Sequence, residues 1–502
     1  MESGISLLAV VCCCLWLIAL CGVSESRSNF MLGKYRGSAK GQPARNRFTQ
    51  NTGDLPPDQY FEQQLNHFNE ADNRTWQQRF FVNDKYYKPG GPVFVMIGGE
   101  GPENPIWMVE GQWIRWAEKF NALCFNLEHR FYGKSHPTPD LSTENLRFLS
   151  SEQALADLAN FITNQTASRG IKKPKVITFG GSYPGSLSAW FRSKYPHIVH
   201  AAISSSAPVV AVEDFTQYLE VVKNSLARFS PQCVDNVAAA SAQLEEALQK
   251  PVSTKKLQTQ FQLCTPIDVT VKKDVQNLVE SLAGNFEGVV QYNRDNRAFE
   301  GALATNITIE TLCDIMGDTS KGTALERYAQ VNALLLNAYE QKCLNFTYQS
   351  FLDPLLDVQW SDSTSEGGRQ WTYQTCTEFG FFQTSDSASQ PFSSMFPLKF
   401  FVDQCKDLFN ISEPVLQRGI QSTNLYYGGL DLHTERVMFV NGDIDPWHAL
   451  GITRKHGHDS PAILIKGAAH CADMYPSRDE DIPELVLSRL IIEYFLEKWI
   501  VL

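Results

Sequence analysis

Short continuous runs of apolar residues recur in two parts of the chain, and small or charged residues follow each run. Stretches with apolar residues at three- and four-residue spacing, such as 151–163, lie between several of the runs. Strands that are buried on both faces give this pattern, and crossover helices connect them in parallel sheets. The sequence therefore predicts a largely parallel α/β sheet, with strands at residues 78–83, 92–97, 122–127, 176–179, 201–205, 436–440 and 462–465.

The pattern of apolar residues changes after residue 209. From there they recur at three- and four-residue spacing for about 150 residues, and hardly any strand is predicted. The helical patterns fall at residues 214–229, 234–249, 272–286 and 323–343. We interpret residues 210–365 as a helical cap inserted into an α/β core that is formed by residues 60–209 and 366–502. The last pattern, at residues 485–502, predicts a closing amphipathic helix.

The first 59 residues differ from the rest of the chain. Residues 6–23 form an apolar block, which predicts a cleaved secretory signal at residues 1–24, although no Lys or Arg precedes the block. A membrane anchor is the alternative. Residues 25–59 are basic and rich in Gly, Pro, Ser and Asn, which is typical of a flexible leader or pro-segment.

Composition narrows the class of protein. The chain has 502 residues, with 43% apolar and 20% charged residues, as in globular proteins, and its net charge of −11 argues against nucleic acid as a partner. Eight cysteines follow the predicted signal and indicate disulfides, whose pairing the sequence does not give. Five glycosylation sequons fit a lumenal or extracellular route; they lie at Asn73, Asn164, Asn306, Asn345 and Asn410.

The strongest chemical motif is the run of residues 176–185, in which a predicted strand enters two glycines, a serine and a predicted helix. This is the pattern of a nucleophile elbow, where a sharp turn holds the oxygen of Ser182 clear of the sheet. The strict motif has Gly where this chain has Pro184, and Gly185 comes one place later. Proline is tolerated in a first helical turn, so we expect the elbow to form. A glycine-flanked serine in an ordinary turn is the alternative.

Candidate partners for Ser182 follow two later predicted strands, in the order Ser, Asp, His that an α/β-hydrolase requires. His470 is the favoured base, because it follows the last strand on a loop of small residues. His448 is the second candidate, and His129 is expected to be a structural hydrogen-bonding residue. Loops at the carboxyl ends of parallel strands open on one crevice, so these side chains can converge.

The carboxylate that would orient the imidazole is either Asp443 or Asp445. We favour Asp445 because Pro446 would stiffen the loop that holds it, but the spacing leaves both open.

Two backbone N–H groups are expected to form the oxyanion hole. Tyr183, directly after the nucleophile, would supply one, and Gly99, in the glycine-rich turn at residues 98–101, would supply the other. Alternatively, this glycine-rich turn only ends the strand and has no catalytic role.

Several motifs together make the chain resemble the lysosomal prolyl carboxypeptidase and dipeptidyl-peptidase family of serine peptidases, in particular its thymus-specific serine protease branch. The resemblance extends from about residue 58 to the C-terminus. The motifs shared with the family lie at residues 128–133, 180–183, 441–447 and 470–473, and those of the branch lie at residues 371–380 and 426–429.

The resemblance implies an α/β-hydrolase fold, with a helical cap inserted between the strand after the elbow and the last strands. It also implies cleavage of peptide bonds near a chain terminus, often after proline. We expect no metal and no cofactor. Residue by residue, the family's triad corresponds to Ser182, Asp445 and His470, and Trp447 matches a wall of the proline pocket. This chain departs from the family at Pro184 and at Asn66, where the family often has Asp.

A serine exopeptidase acting on peptides is therefore the expected function. An esterase or lipase on the same fold and a catalytically inactive binding protein are the alternatives. We expect a lysosomal, endosomal or secreted protein that does not bind membranes once its signal is cleaved. The sequence leaves open which chain terminus is recognised and whether the protein forms a homodimer.

Overall fold

The computed structural model describes residues 55–250, 253–457 and 459–502. The predicted signal and the leader up to residue 54 lie outside the described residues. Of the predicted leader, residues 55–59 are described, and Gln59 is the first residue of a strand.

A central sheet of eight strands organises the molecule, in the order β1-β2-β4-β3-β5-β6-β9-β10. Strand β2 is antiparallel to both β1 and β4, whereas all other neighbours pair in parallel. This is the predicted α/β-hydrolase fold. The strands of the chain are β1 Gln59–Gln64, β2 Thr75–Asn83, β3 Val93–Ile97, β4 Leu123–Leu127, β5 Val176–Gly181, β6 Val199–Ser205, β7 Val212–Asp214, β8 Gly380–Phe382, β9 Val437–Gly442 and β10 Ala462–Ile465.

Helices cover the sheet and fill the insertion. The α-helices are α1 Gln112–Phe120, α2 Thr143–Leu146, α3 Ser151–Ser168, α4 Tyr183–Lys194, α5 Gln217–Phe229, α6 Pro231–Leu248, α7 Thr254–Gln260, α8 Lys272–Gln291, α9 Ile309–Gly317, α10 Ala324–Ala338, α11 Tyr348–Leu356, α12 Asp362–Ser365, α13 Gly368–Gln374, α14 Leu398–Phe409, α15 Glu413–Tyr427 and α16 Pro483–Val501. Among these described helices, none is long and apolar enough to cross a membrane.

Strand β3 shows why the core strands have continuous apolar sequences. All five of its residues are buried. Successive side chains point to opposite faces, so Val93, Val95 and Ile97 join one apolar cluster, while Phe94 and Met96 join the other. A strand that is covered on both faces has no solvent side, and the polar half of the usual alternation is therefore missing.

The sheet is interrupted between β6 and β9, which pair directly with each other. Residues 206–436 thus lie outside the eight-stranded sheet, and they include helices α5 to α15 and the two-stranded parallel sheet of β7 and β8. The predicted limits of the cap, residues 210 and 365, stay predictions. Helices α14 and α15 come after residue 365 and before the sheet resumes at Val437.

Three disulfides reinforce this inserted region, as the cysteine content indicated. They join Cys233 to Cys313, Cys264 to Cys343, and Cys376 to Cys405. The other two described cysteines, Cys124 and Cys471, are buried and unpaired.

Four of the five sequon asparagines are exposed, namely Asn73, Asn164, Asn306 and Asn410. Asn345 is half-buried and lies in the wall of a cavity. Glycosylation at the five sites stays a prediction.

The turn after β4 contains the motif at residues 128–133 and rests on a buried ion pair. The guanidinium of Arg130 donates to both carboxylate oxygens of Asp157 at 2.6 Å, and it also donates to the carbonyls of Leu65 and Phe148 at 3.0 and 2.8 Å. Arg130 and Asp157 are 0% and 1% exposed. This pair ties α3 to the end of β4, so the motif is structural at this position.

We predict that Asp157→Asn lowers the free energy of unfolding by about 3 kcal/mol, because it leaves the Arg130 charge buried without its counter-ion. Denaturant unfolding followed by tryptophan fluorescence measures the change. Glu144→Gln is the control, since Glu144 pairs with Arg147 across 3.9 Å at the surface, and we expect a change below about 0.5 kcal/mol. Equal losses in the two variants would contradict a special role for the buried pair.

Candidate active site

Ser182 occupies the sharp turn between β5 and α4. Its backbone lies at φ 63° and ψ −133°, a region that residues with a side chain seldom adopt. The turn is fixed from both sides, because the Ser182 N–H donates to the Ser205 carbonyl at 2.9 Å and the Ser186 N–H donates to the Ser182 carbonyl at 3.1 Å. Strain of this kind is typical of a nucleophile elbow.

Gly180 and Gly185 of the elbow leave no room for a side chain. A Cβ on Gly180 would lie 2.1 Å from the carbonyl oxygen of Pro184, and one on Gly185 would lie 2.7 Å from that of Ser205. Pro184 sits in the first turn of α4. The missing N–H of Pro184 would have no partner within the helix at this position, so the departure from the strict motif does not prevent the turn.

His470 and Asp445 form a buried hydrogen-bonded pair. The Nδ1 of His470 donates to Oδ2 of Asp445 at 2.8 Å, and the two residues are 3% and 0% exposed. The other carboxylate oxygen accepts from the Trp447 N–H at 3.0 Å. Burial by itself lowers the pKa of His470, but the charge and hydrogen bond of Asp445 outweigh burial and raise the pKa. The carboxylate therefore stabilises the imidazolium, and in the neutral ring it keeps the proton on Nδ1, so that Nε2 is the proton-accepting atom.

The other candidates from the sequence have different partners. The carboxylate of Asp443 binds the guanidinium of Arg228 through two bonds of 2.8 and 2.7 Å, and it accepts from the Gly467 N–H at 2.7 Å. His448 donates from Nδ1 to the Asp445 carbonyl at 2.6 Å. Neither Asp443 nor His448 thus pairs with His470.

His129 is a structural residue, in agreement with the sequence. Its Nδ1 lies 2.7 Å from the Arg130 carbonyl, which only accepts, so Nδ1 carries the proton and Nε2 accepts from the Tyr183 hydroxyl at 3.0 Å. Burial lowers the pKa of His129 to about 4 and keeps the ring neutral. Gln374 donates to the same hydroxyl at 3.0 Å, so two side chains fix the residue that follows Ser182.

The loop after β10 is packed against the elbow. The His470 N–H donates to the Gln291 carbonyl and the Cys471 N–H donates to Oγ of Ser206, both at 2.9 Å. A Cβ on Gly181 would lie 2.8 Å from Sγ of Cys471. These contacts bring the residue next to His470 against the residue next to Ser182.

Arg489 of α16 holds the same loop from outside. Its guanidinium is almost fully buried, donates to the carbonyls of Ala472, Asp473 and Tyr475 over 2.9 to 3.1 Å, and pairs with the carboxylate of Asp481. Sequence reasoning missed this residue. The available signal was an arginine within the mainly apolar stretch at residues 485–492, because such a charge needs partners when it is buried.

A cavity of about 170 Å³ begins at Ser182 and Tyr183. Trp447 forms part of its wall and donates from Nε1 to the Gln291 side chain at 3.1 Å. The ring centroid of Trp447 lies 6.5 Å from that of His470, so this tryptophan connects the His–Asp pair to the cavity. Other aromatic side chains in the wall are Tyr292, Phe351, Trp371, Phe381, Phe382, Phe400 and Phe401.

The turn after β3 lies beside this cavity, which Glu100 also lines. The Gly98 N–H donates to the Leu127 carbonyl at 2.9 Å, and the Gly99 N–H donates to Oε1 of Glu103 at 3.3 Å. An oxyanion bound at Gly99 would therefore have to displace the Glu103 carboxylate. On the opposite side, Tyr183 is the first residue of α4, where helical N–H groups have no partner within the helix.

Among the described residues, no group of three or more His, Cys, Asp and Glu side chains could hold a metal ion.

The chain is similar to known proteins over most of its length. The family described as serine carboxypeptidase S28 matches residues 63–492. The thymus-specific serine protease of Mus musculus is 37% identical over 459 residues, which cover 89% of this chain and 88% of that protein. The lysosomal Pro-X carboxypeptidase of Homo sapiens is 29% identical over 457 residues, which cover 88% of each chain.

The solved structure of proline iminopeptidase from Mycobacterium smegmatis aligns with a TM-score of 0.38 at 12% identity, over 88% of this chain and 99% of that chain. The fold assignment rests on the sheet topology and not on that alignment. Because the family match spans most of the chain and a relative above 30% identity covers 89% of it, the chain belongs to the serine carboxypeptidase S28 family of serine peptidases.

Proposed function

We propose that Ser182, His470 and Asp445 form the catalytic triad of a serine exopeptidase. The observation that carries the proposal is the buried hydrogen bond of His470 to Asp445 beside an elbow whose serine opens into a cavity. The three residues follow the carboxyl ends of β5, β9 and β10, in the chain order of the α/β-hydrolase enzymes, which supports the proposal.

The chemistry follows from the protonation states. Oγ of Ser182 attacks the carbonyl carbon of the scissile bond while Nε2 of His470 takes the hydroxyl proton. The imidazolium then gives this proton to the leaving amine, and the acyl-enzyme remains. Water, activated by the same nitrogen, hydrolyses the ester and restores Ser182. Asp445 keeps Nδ1 protonated throughout and stabilises the imidazolium.

Backbone donors would stabilise the tetrahedral intermediates. The Tyr183 N–H at the start of α4 is the first donor that we propose, and the helix terminus adds its positive end to the same position. Gly99 is the proposed second donor, on the condition that the oxyanion replaces the 3.3 Å bond to Glu103.

Proline before the scissile bond is the proposed preference. One relative acts on Pro-X bonds according to its name. Here Trp447 and Phe381 meet in the cavity wall at 5.4 Å and 83°, which gives two perpendicular apolar faces. A pyrrolidine ring is compact and apolar, so a corner formed by two flat aromatic faces would hold it.

Peptides are the substrates of this peptidase family. The three disulfides favour an oxidising compartment, and a relative is lysosomal by name. We propose a lysosomal, endosomal or secreted location. A homodimer stays a prediction.

Ser182→Ala tests the function directly. A library of proline-containing peptides is incubated with the wild-type protein and with the variant, and the products are identified by mass spectrometry. We expect the wild type to shorten peptides from one end and the variant to lose this activity, because no nucleophile remains beside His470.

Thermal unfolding of both proteins is the control, and it should show an unchanged fold. Full peptide hydrolysis by Ser182→Ala would contradict the proposal. Hydrolysis of esters but of no peptide by the wild type would favour an esterase on the same fold.

Asp445→Asn should lower kcat by about four orders of magnitude, because the amide no longer fixes the reactive tautomer of His470. The pH profile should change as well. His470 must be neutral to accept the Ser182 proton, so kcat/KM falls as the pH drops through the pKa of His470. Since Asp445 raises that pKa, its loss should move the acidic limb to lower pH.

Asp443→Asn is the matched control. It makes the same chemical change two residues away from Asp445, at a carboxylate that binds Arg228 instead of His470. We expect kcat to fall by less than about tenfold, with the acidic limb unmoved. A larger loss in Asp443→Asn than in Asp445→Asn would reverse the assignment.

A further inference from the structure

The cavity follows one face of helix α8, Lys272–Gln291. Asn277, Ser281 and Gln291 line it and lie within one helical stripe at three- and four-residue steps. One continuous cavity therefore lies along this face of α8.

Helix geometry gives the length of this space. Gln291 marks the catalytic end, since its carbonyl and side chain bind His470 and Trp447. Glu280 lines the cavity eleven residues earlier in the helix. At a rise of about 1.5 Å per residue, the two positions are roughly 16 Å apart, which corresponds to about five residues of extended peptide.

The end of the cavity around Glu280 is polar. Asn277, Ser281 and Gln404 are buried and line it there. Gln404 as a whole residue is only 7% exposed, and no hydrogen bond joins its amide to other described residues. Because Gln404 lines the cavity, its amide is available to the polar groups of a ligand there.

The charge in the cavity has a single sign. Among the described residues that line it, the charged side chains are Glu100 and Glu280, and none is Lys, Arg or His. A substrate carboxylate buried here would meet like charges, whereas an ammonium would be stabilised by them.

We infer that the cavity receives the free amino terminus of a peptide and that Glu280 binds its ammonium group. The enzyme then releases short amino-terminal fragments, up to about five residues long, and the rest of the substrate leaves as the amine. This inference rests on the proposed function, because it takes Ser182 as the point of cleavage.

The test uses peptides of one sequence in three forms: free, N-acetylated and C-terminally amidated. We expect acetylation to lower kcat/KM by about tenfold or more, because it removes the charge that Glu280 binds, and amidation to change it by less than about twofold. In Glu280→Gln, the free and acetylated peptides should react at nearly equal rates. Glu280→Asp keeps the charge and should keep the preference.

Glu246→Gln is the matched control, because Glu246 is an exposed carboxylate of α6 that lies outside the cavity. It should keep the wild-type preference for the free peptide. Sensitivity to amidation instead of acetylation, or an unchanged preference in Glu280→Gln, would overturn the inference.

A binding measurement distinguishes recognition of the amino terminus by Glu280 from catalysis by the proposed triad. Fluorescence anisotropy of labelled free and acetylated peptides on Ser182→Ala reports terminus recognition without chemistry, and we expect weaker binding of the acetylated form by about tenfold. Equal binding, with Ser182 of the wild type still labelled by a fluorophosphonate, would reject Glu280 as the recognition residue and keep the peptidase. Preferential binding without any labelling of Ser182 would reject the peptidase mechanism instead.

Discussion

The hydrogen bond between His470 and Asp445 is the interaction on which the site depends. It is 2.8 Å long and lies between two residues that are almost completely buried. Burial would otherwise keep the imidazole neutral and poorly basic, and the carboxylate reverses this effect. The surrounding loop contacts have one shared result, which is to keep this pair in place beside Ser182. The side chains of Arg489 and Ser206 contribute by hydrogen bonding to the backbone of the loop that carries His470.

Much of the core could be predicted from the sequence. The seven predicted strands are present, because strands buried on both faces have continuous apolar sequences such as that of β3. The elbow could be predicted because it requires glycine at residues 180 and 185, where a Cβ would clash with the backbone. His470 was identifiable from its place after the last strand of the parallel sheet.

Other features depend on tertiary contacts that leave no local signal. Asp443 and Asp445 both follow β9 closely, and only their partners in three dimensions, Arg228 and His470, separate their roles. The three disulfides join cysteines brought together by helix packing. Strand β1 lies at an edge and has an unremarkable sequence, with mostly half-buried or exposed residues. The Gly99 N–H was expected to be a donor to substrate, but its bond to Glu103 appears only in three dimensions.

The central claim is that one serine, one histidine and one carboxylate act together at the end of this cavity. A crystal structure of the protein after reaction with a peptidyl phosphonate tests it most directly. We predict a covalent bond from phosphorus to Oγ of Ser182, a phosphonyl oxygen on the Tyr183 N–H, and Nε2 of His470 within about 3.2 Å of an adduct oxygen. An adduct on another residue, or His470 bound to a partner other than Asp445, would contradict the account.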